Sequence, residues 1–168
     1  MSVNDAAARG DASARPLSRL ERLKLRIGRT ADHRLSPLGV WVYRQTRGGI
    51  TRPWKVDALL LTTHGRRSGR DRTVVLQFFR DGEAMAVVAA NDGGASDPAW
   101  YLNLLAEPVA RVEVMGRTLP VRAEVLPPEA SQAFWQGRIL ARAPTYEQYR
   151  RATDRPFPVV RLVPTTPS

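Results

Sequence analysis

Ala58-Leu59-Leu60-Leu61-Thr62-Thr63-His64-Gly65-Arg66-Arg67-Ser68-Gly69-Arg70-Asp71-Arg72-Thr73-Val74-Val75-Leu76-Gln77-Phe78-Phe79 is the stretch that decides the fold. Ala58–Thr63 is a short apolar run, richer in strand formers toward its end. Arg72–Phe79 carries β-branched and aromatic residues and reads as a second strand. Between them Gly65-Arg66-Arg67-Ser68-Gly69 is a turn with glycine at both ends. Strands joined this tightly pair antiparallel, because a parallel pair needs a long crossover.

Downstream the same grammar repeats. Asp81-Gly82 is a tight-turn signal, and Ala84–Ala90 reads as the third strand. Asn91–Pro98 is a polar, glycine-bearing loop in which Asp97 is placed to cap a helix with Pro98 at its first position. That helix holds Trp100, Tyr101, Leu102 and Leu104, and Pro108 ends it. Val109–Met115, Gly116-Arg117 and Thr118–Val125 form a second hairpin. Pro127-Pro128-Glu129 opens another helix, Pro144 starts a short one with Tyr146 and Tyr149, and Pro158–Val163 is the last strand. Six strands with short helices on the rims suit a small, mainly antiparallel, partly closed α+β barrel.

Upstream the pattern is helical. Leu17, Leu20, Leu23 and Ile27 recur at near-helical spacing among Arg19, Arg22, Arg26 and Arg29, which is a basic amphipathic helix. Leu38–Tyr43 continues as a second short helix, and Gly48, Gly49 and Pro53 mark a loop. The expected division is a basic tail and amphipathic helix over residues 1–37, then a barrel domain over 38–168.

Composition removes several chemistries. The 168 residues include no cysteine, which excludes disulfides, thiolate metal sites and a cysteine nucleophile. His33 and His64 are too few for a histidine-rich metal site, and no metal is expected. No carboxylate pair, nucleophile–base triad or Walker loop is present. No run approaches the ~20 apolar residues of a membrane helix. The first residues lack a signal pattern, so the expectation is a cytoplasmic protein. Residues 1–80 carry a net charge of +11 and residues 81–168 a net charge of −1. A basic excess confined to one half points to an anionic partner: a phosphorylated cofactor, an anionic membrane or nucleic acid.

Within that half, the turn at Gly65–Gly69 combines backbone N–H groups, the Ser68 hydroxyl and the guanidinium forks of Arg66, Arg67 and Arg72, all suited to phosphate. Ala89-Ala90-Asn91-Asp92-Gly93-Gly94 ends a strand in small residues that let a flat ring approach the backbone. Tyr146 and Tyr149, three apart, project from one helix face. What remains is a redox enzyme whose cofactor brings the chemistry.

Three ordered motifs then resemble one family. Leu60-Leu61-Thr62-Thr63-His64-Gly65-Arg66-Arg67-Ser68-Gly69, Gly93-Gly94 with Pro98-Ala99-Trp100-Tyr101-Leu102-Asn103-Leu104, and Tyr146-Glu147-Gln148-Tyr149 with Thr153-Asp154-Arg155 and Pro158 resemble the deazaflavin (F420)-dependent nitroreductase and quinone reductase family. The resemblance implies a six-stranded split β-barrel, like FMN-binding split barrels, holding coenzyme F420. The hydride acceptor would be a quinone, a nitro compound or an activated alkene.

It also implies that Arg66, Arg67 and Ser68 hold the cofactor's anionic tail, and that Arg72, Thr73, Val74 and Val75 line the adjoining groove. Ala89, Ala90, Asn91 and Asp92 would border the ring, and Ala99, Trp100, Tyr101, Leu102 and Asn103 would close the site. Tyr146 and Tyr149 would be the catalytic residues facing the substrate. Some relatives place Ser-Lys where Asn91-Asp92 stand, and a third tyrosine where Ala143 stands. FMN is the alternative cofactor. Peripheral contact of the basic helix with anionic membrane and a homodimer are further expectations; binding of nucleic acid is not expected. The rival to an enzyme is a binder of anionic lipid or nucleic acid.

Overall fold

The computed structural model describes residues 37–46 and 57–165. The basic amphipathic helix over residues 17–29 and the loop around Gly48, Gly49 and Pro53 lie outside the described residues. Helix α1 covers residues 37–46. Seven strands follow among the described residues: β1 (Ala58–His64), β2 (Asp71–Gln77), β3 (Phe79–Asp81), β4 (Ala84–Val88), β5 (Val109–Val114), β6 (Arg117–Val125) and β7 (Val159–Pro164). Helix α2 (Ala99–Ala106) links β4 to β5. Helices α3 (Pro128–Phe134), α4 (Leu140–Arg142) and α5 (Thr145–Arg151) link β6 to β7, with a π-helical turn at Trp135–Ile139.

The strands form one antiparallel sheet in the order β2-β1-β5-β6-β7-β4-β3. β2 and β3 are separated in the chain only by Phe78, yet they form the two opposite edges. That one-residue link draws the edges together and curls the sheet into a half-barrel without a β2–β3 ladder. The split-barrel reading therefore stands with seven strands rather than six. The run Arg72–Phe79 breaks at Phe78, whose N–H donates to Asp57 O at 2.9 Å while its ring enters the barrel core.

Side-chain alternation builds two cores. Leu59 and Leu61 of β1, Met85 and Val87 of β4, and Val160 and Leu162 of β7 point into the barrel with Trp100, Tyr101 and Leu104 of α2. On the outer face, Ala86, Val88 and Val159 meet Trp135, Ile139, Ala143 and Phe157. Leu60 packs outward against Val40 and Tyr43 of α1. The Tyr43 hydroxyl donates to Ala58 O at 2.8 Å, and Arg44 pairs with Glu113 on β5, holding that carboxyl below its ordinary range. Strands covered on both faces explain why β1 and β4 read as unbroken apolar runs.

The turns follow local chemistry. Met115 and Gly116 both take positive φ (51° and 76°) between the paired residues Val114 and Arg117, the primed geometry that matches strand twist. The two-residue loop is thus Met115-Gly116, one position before the expected Gly116-Arg117. One capping expectation is corrected. Pro98 is the N-cap of α2 and no side chain caps it; Asp97 instead binds Arg155.

Candidate functional site

The turn between β1 and β2 is closed by its own backbone. Gly65 N–H donates to Arg70 O at 3.0 Å, and Gly65 O accepts from Ser68 N–H (3.1 Å) and Gly69 N–H (2.8 Å). A Cβ on Gly65 would lie 2.7 Å from Ser68 Oγ and 2.8 Å from Arg70 O, so the turn closes this tightly only around glycine. Gly69 supplies the left-handed φ of 62°. Asp71, the carboxylate beside the turn, is committed to Arg111 at 2.8 Å and lies 3.8 Å from His64. Arg66, Arg67, Arg70 and Arg72 are exposed, and among the described residues none of them forms an ion pair. A cluster of cations with no internal anion fits a phosphorylated ligand.

Asn103 fixes this turn to α2. Its side chain is 4% exposed; Nδ2 donates to Thr63 Oγ1 at 3.0 Å, and Oδ1 accepts from Arg66 N–H (3.2 Å) and Arg66 Nη1 (3.3 Å). The structure thus places Asn103 behind the turn. In β2, Val74 and Leu76 pack on the barrel core, which puts Arg72 on that face, and Thr73 and Val75 on the other. Thr73 Oγ1 lies 2.8 Å from Thr62 Oγ1 across the ladder. Ser68 is exposed, Ala99 is exposed and Leu102 half-buried, while Trp100 and Tyr101 are buried edge-to-face at 6.1 Å between centroids.

β4 stops at Val88, and Ala89 and Ala90 continue it into a short turn over Asn91–Gly93. Asn91, Asp92 and Gly93 all take left-handed φ (48°, 49° and 73°). Asn91 Nδ2 donates to Ser96 O at 2.9 Å. A Cβ on Gly93 would lie 3.0 Å from Tyr149 O and 3.0 Å from Ala152 Cβ, so this turn rests directly on α5. There Tyr146 and Tyr149 stand edge-to-face at 5.5 Å, and Tyr146 also meets Trp135 (5.8 Å) and Phe79 (6.1 Å). Burial, followed by the proximity of Tyr149 and Asp92, pushes the Tyr146 phenol well above the ordinary tyrosine range. Ala143, where some relatives carry tyrosine, is buried in the same cluster.

One residue that sequence reasoning did not single out joins these parts. Arg155 bonds to Ala89 O, Ala90 O, Gly94 O and Asp97. Asp97 in turn raises the Tyr101 phenol, already raised mainly by burial, while Arg155 lowers it. The cationic turn, Asn103 and α2, the Asp97–Arg155 pair, the strand end and the two tyrosines therefore form one continuous arc. Among 24 arginines, Arg155 carried no signal beyond its place in the third motif.

The profile of the F420H(2)-dependent quinone reductase family matches residues 36–164, the whole of this arc included. The chain belongs to that family. An F420H(2)-dependent quinone reductase of Mycobacterium tuberculosis is 35% identical over 125 residues, covering 72% of this chain and 84% of that protein. A solved F420-H2 dependent reductase superposes with a TM-score of 0.57 at 32% identity, covering 63% of this chain and 93% of that one. A second solved chain, described as a domain-swapped dimer, has a TM-score of 0.57 at 30% identity over 76% of this chain and 99% of that one. As an F420H(2)-dependent quinone reductase family member, the protein is an oxidoreductase that uses coenzyme F420. This decides between the two phosphorylated cofactors left open by the sequence, and removes the binder as the main reading. No helix among the described residues is long and apolar enough to cross a membrane. Among those residues no His, Cys, Asp or Glu cluster could hold a metal ion.

Proposed function

We propose that this chain delivers a hydride from reduced F420 to a quinone, with the cofactor tail on the Gly65–Gly69 turn and the acceptor beside Tyr146 and Tyr149. The observation that carries the reading is the arginine turn that faces no carboxylate and is locked to α2 through Asn103. When bound, F420 supplies the hydride from C5 of its deazaflavin ring.

The chain's own residues bind, orient and keep a proton. Arg66 and Arg67 present guanidinium forks, and Ser68 a hydroxyl, to the phosphate and carboxylates of the tail. Ala89 and Ala90, buried against the two cores, back a side-chain-poor ledge, and Asn91 and Asp92 bound the ring there. Reduction of a quinone to a hydroquinone takes one hydride, from the reduced cofactor, and one proton, which comes from solvent. With its phenol raised, Tyr146 keeps its proton through the neutral range and acts as a hydrogen-bond donor at the acceptor side of the ledge. Catalysis here is positioning, worth several powers of ten when reacting atoms are held in line. The open edges β2 and β3 offer strand surfaces through which two copies pair, and one similar solved chain is described as a domain-swapped dimer.

The test is a titration of the purified protein with F420, followed by quenching of deazaflavin fluorescence. Reoxidation of reduced F420 with quinones, enones and nitroarenes then compares acceptors. The expected result is saturable, salt-sensitive binding, weakened at least tenfold in Arg66→Ala and Arg67→Ala, with quinones the fastest acceptors. Equal affinity in these variants and the wild type, or enones or nitroarenes outrunning every quinone, would overturn the assignment.

A further inference from the structure

Arg155 lies in the segment between α5 and β7, and its bonding answers a structural need that the sheet leaves open. The β4–β7 ladder ends at Val88 paired with Val159, and one more bond follows, Ala89 N–H to Pro158 O at 2.9 Å. The chain then enters the left-handed turn. The carbonyls of Ala89 and Ala90 leave the sheet at residues that are 0% and 4% exposed. Buried carbonyls need donors. Ala90 O takes one bond within the turn, from Gly93 N–H at 3.0 Å; Arg155 supplies the donor to Ala89 O, from Nη1 at 3.0 Å, and a second donor to Ala90 O, from Nη2 at 2.8 Å. The same guanidinium reaches past the turn, with Nε donating to Gly94 O at 3.1 Å and Nη1 to Asp97 Oδ1 at 2.6 Å. Its carbon lies 4.8 Å from the Phe157 ring centroid, and its side chain is only 13% exposed.

One planar cation therefore grips both ends of the turn over Asn91–Gly93 and the entry to α2. Asn91 and Asp92 are held in a left-handed conformation that L-residues other than glycine adopt at a cost, so the turn needs outside restraint to keep its shape. We propose that Arg155 is a positioning residue for hydride transfer. It touches neither cofactor nor acceptor, and acts by locking the Ala89–Asp92 ledge to the start of α2. This rests on the reading that the ledge borders the deazaflavin. Lysine does not replace it, because a compact ammonium cannot span the carbonyls of Ala89, Ala90, Gly94 and Pro156 and the Asp97 carboxylate as a guanidinium fork does.

The test uses Arg155→Lys and Asp97→Asn in the full chain, with Arg67→Ala for comparison. In the cofactor-free protein, amide hydrogen exchange at Gly93 and Gly94 speeds up about tenfold or more in Arg155→Lys, because their bonds to Ala90 O and Asn91 O open more often. In single-turnover reoxidation of reduced F420, Arg155→Lys slows hydride transfer by roughly 10- to 100-fold at saturating cofactor. F420 Kd and acceptor KM move less than about threefold, and the isotope effect with C5-deuterated cofactor rises. Arg67→Ala shows a different split, in which the weakened Kd is the larger effect and exchange at Gly93 and Gly94 stays at the wild-type rate. Asp97→Asn leaves the guanidinium in place but removes the charge from one of its bonds, and gives the same pattern at about fivefold in exchange and transfer rate, so the idea stays testable if Arg155→Lys does not fold. A wild-type transfer rate in a folded Arg155→Lys, or unchanged exchange at Gly93 and Gly94, overturns the positioning role while F420 turnover by the wild type still stands. A wild type that binds no F420 overturns the underlying reading as well.

Discussion

Replacing Asn103 by alanine severs the link between α2 and the Gly65–Gly69 turn proposed to hold the cofactor tail, and the structure sets the size of the effect. Two of the lost bonds join neutral groups, the buried Asn103 Nδ2 to Thr63 Oγ1 and the partly buried Arg66 N–H to Asn103 Oδ1. Each contributes about 1 kcal/mol net. Thr63, 1% exposed, is left with its hydroxyl lacking that donor, which adds roughly 1 kcal/mol or more. The third bond, to the exposed Arg66 guanidinium at 3.3 Å, is long and solvent-screened and adds little. The total is about 3 kcal/mol, which for a domain of this size lowers Tm by roughly 6–12 °C.

The same change releases Arg66, both of whose anchors are on Asn103. Re-ordering a free arginine on the ligand costs about 1–2 kcal/mol of side-chain entropy. That weakens F420 binding by roughly 5- to 30-fold. Thermal denaturation reads the first number and fluorescence titration the second. A variant with Tm within 1 °C of the wild type and unchanged F420 affinity would refute the claim that Asn103 organises the turn.

Three further outcomes are expected. Gly65→Ala forces a Cβ to within 2.8 Å of Arg70 O, which is backbone and cannot swing away; the turn opens, at about 1–3 kcal/mol, and F420 affinity falls while acceptor KM holds. Gly93→Ala strains a φ of 73° and pushes on Tyr149 O and Ala152, so acceptor KM rises with F420 Kd little changed in binding and steady-state assays. Tyr146→Phe tests the buried phenol by pH. Its folded pKa is raised, so the native state binds more protons than the unfolded one above pH ~10, and wild-type stability falls as pH climbs through that point. Below pH ~10 the phenol is neutral in both states and the variant has the wild-type slope; above it, denaturant melts show a shallower loss for Tyr146→Phe, and identical slopes would refute the burial argument.

What the sequence determined by itself was local. The strands of β1 and β2 followed from apolar and β-branched runs, the hairpins from Asp81-Gly82 and Gly116, and the cationic bend from two glycines bracketing arginines. Each of these is set by the conformational preferences of neighbouring residues, so a window of a few positions contains the answer. The family followed from three motifs in order, and the site arc runs through all three. Tertiary structure alone decided three things. β2 and β3 went to opposite edges because the strand broke at Phe78, a break that costs no hydrophobic character and leaves no mark in composition. Asn103 turned its amide to Arg66 across 37 positions, and Arg155 reached Ala89 across 66. Hydrogen bonds between groups so far apart in the chain have no periodicity to betray them. They exist only once the curled sheet has brought the carbonyls that end β4 and the arginine together.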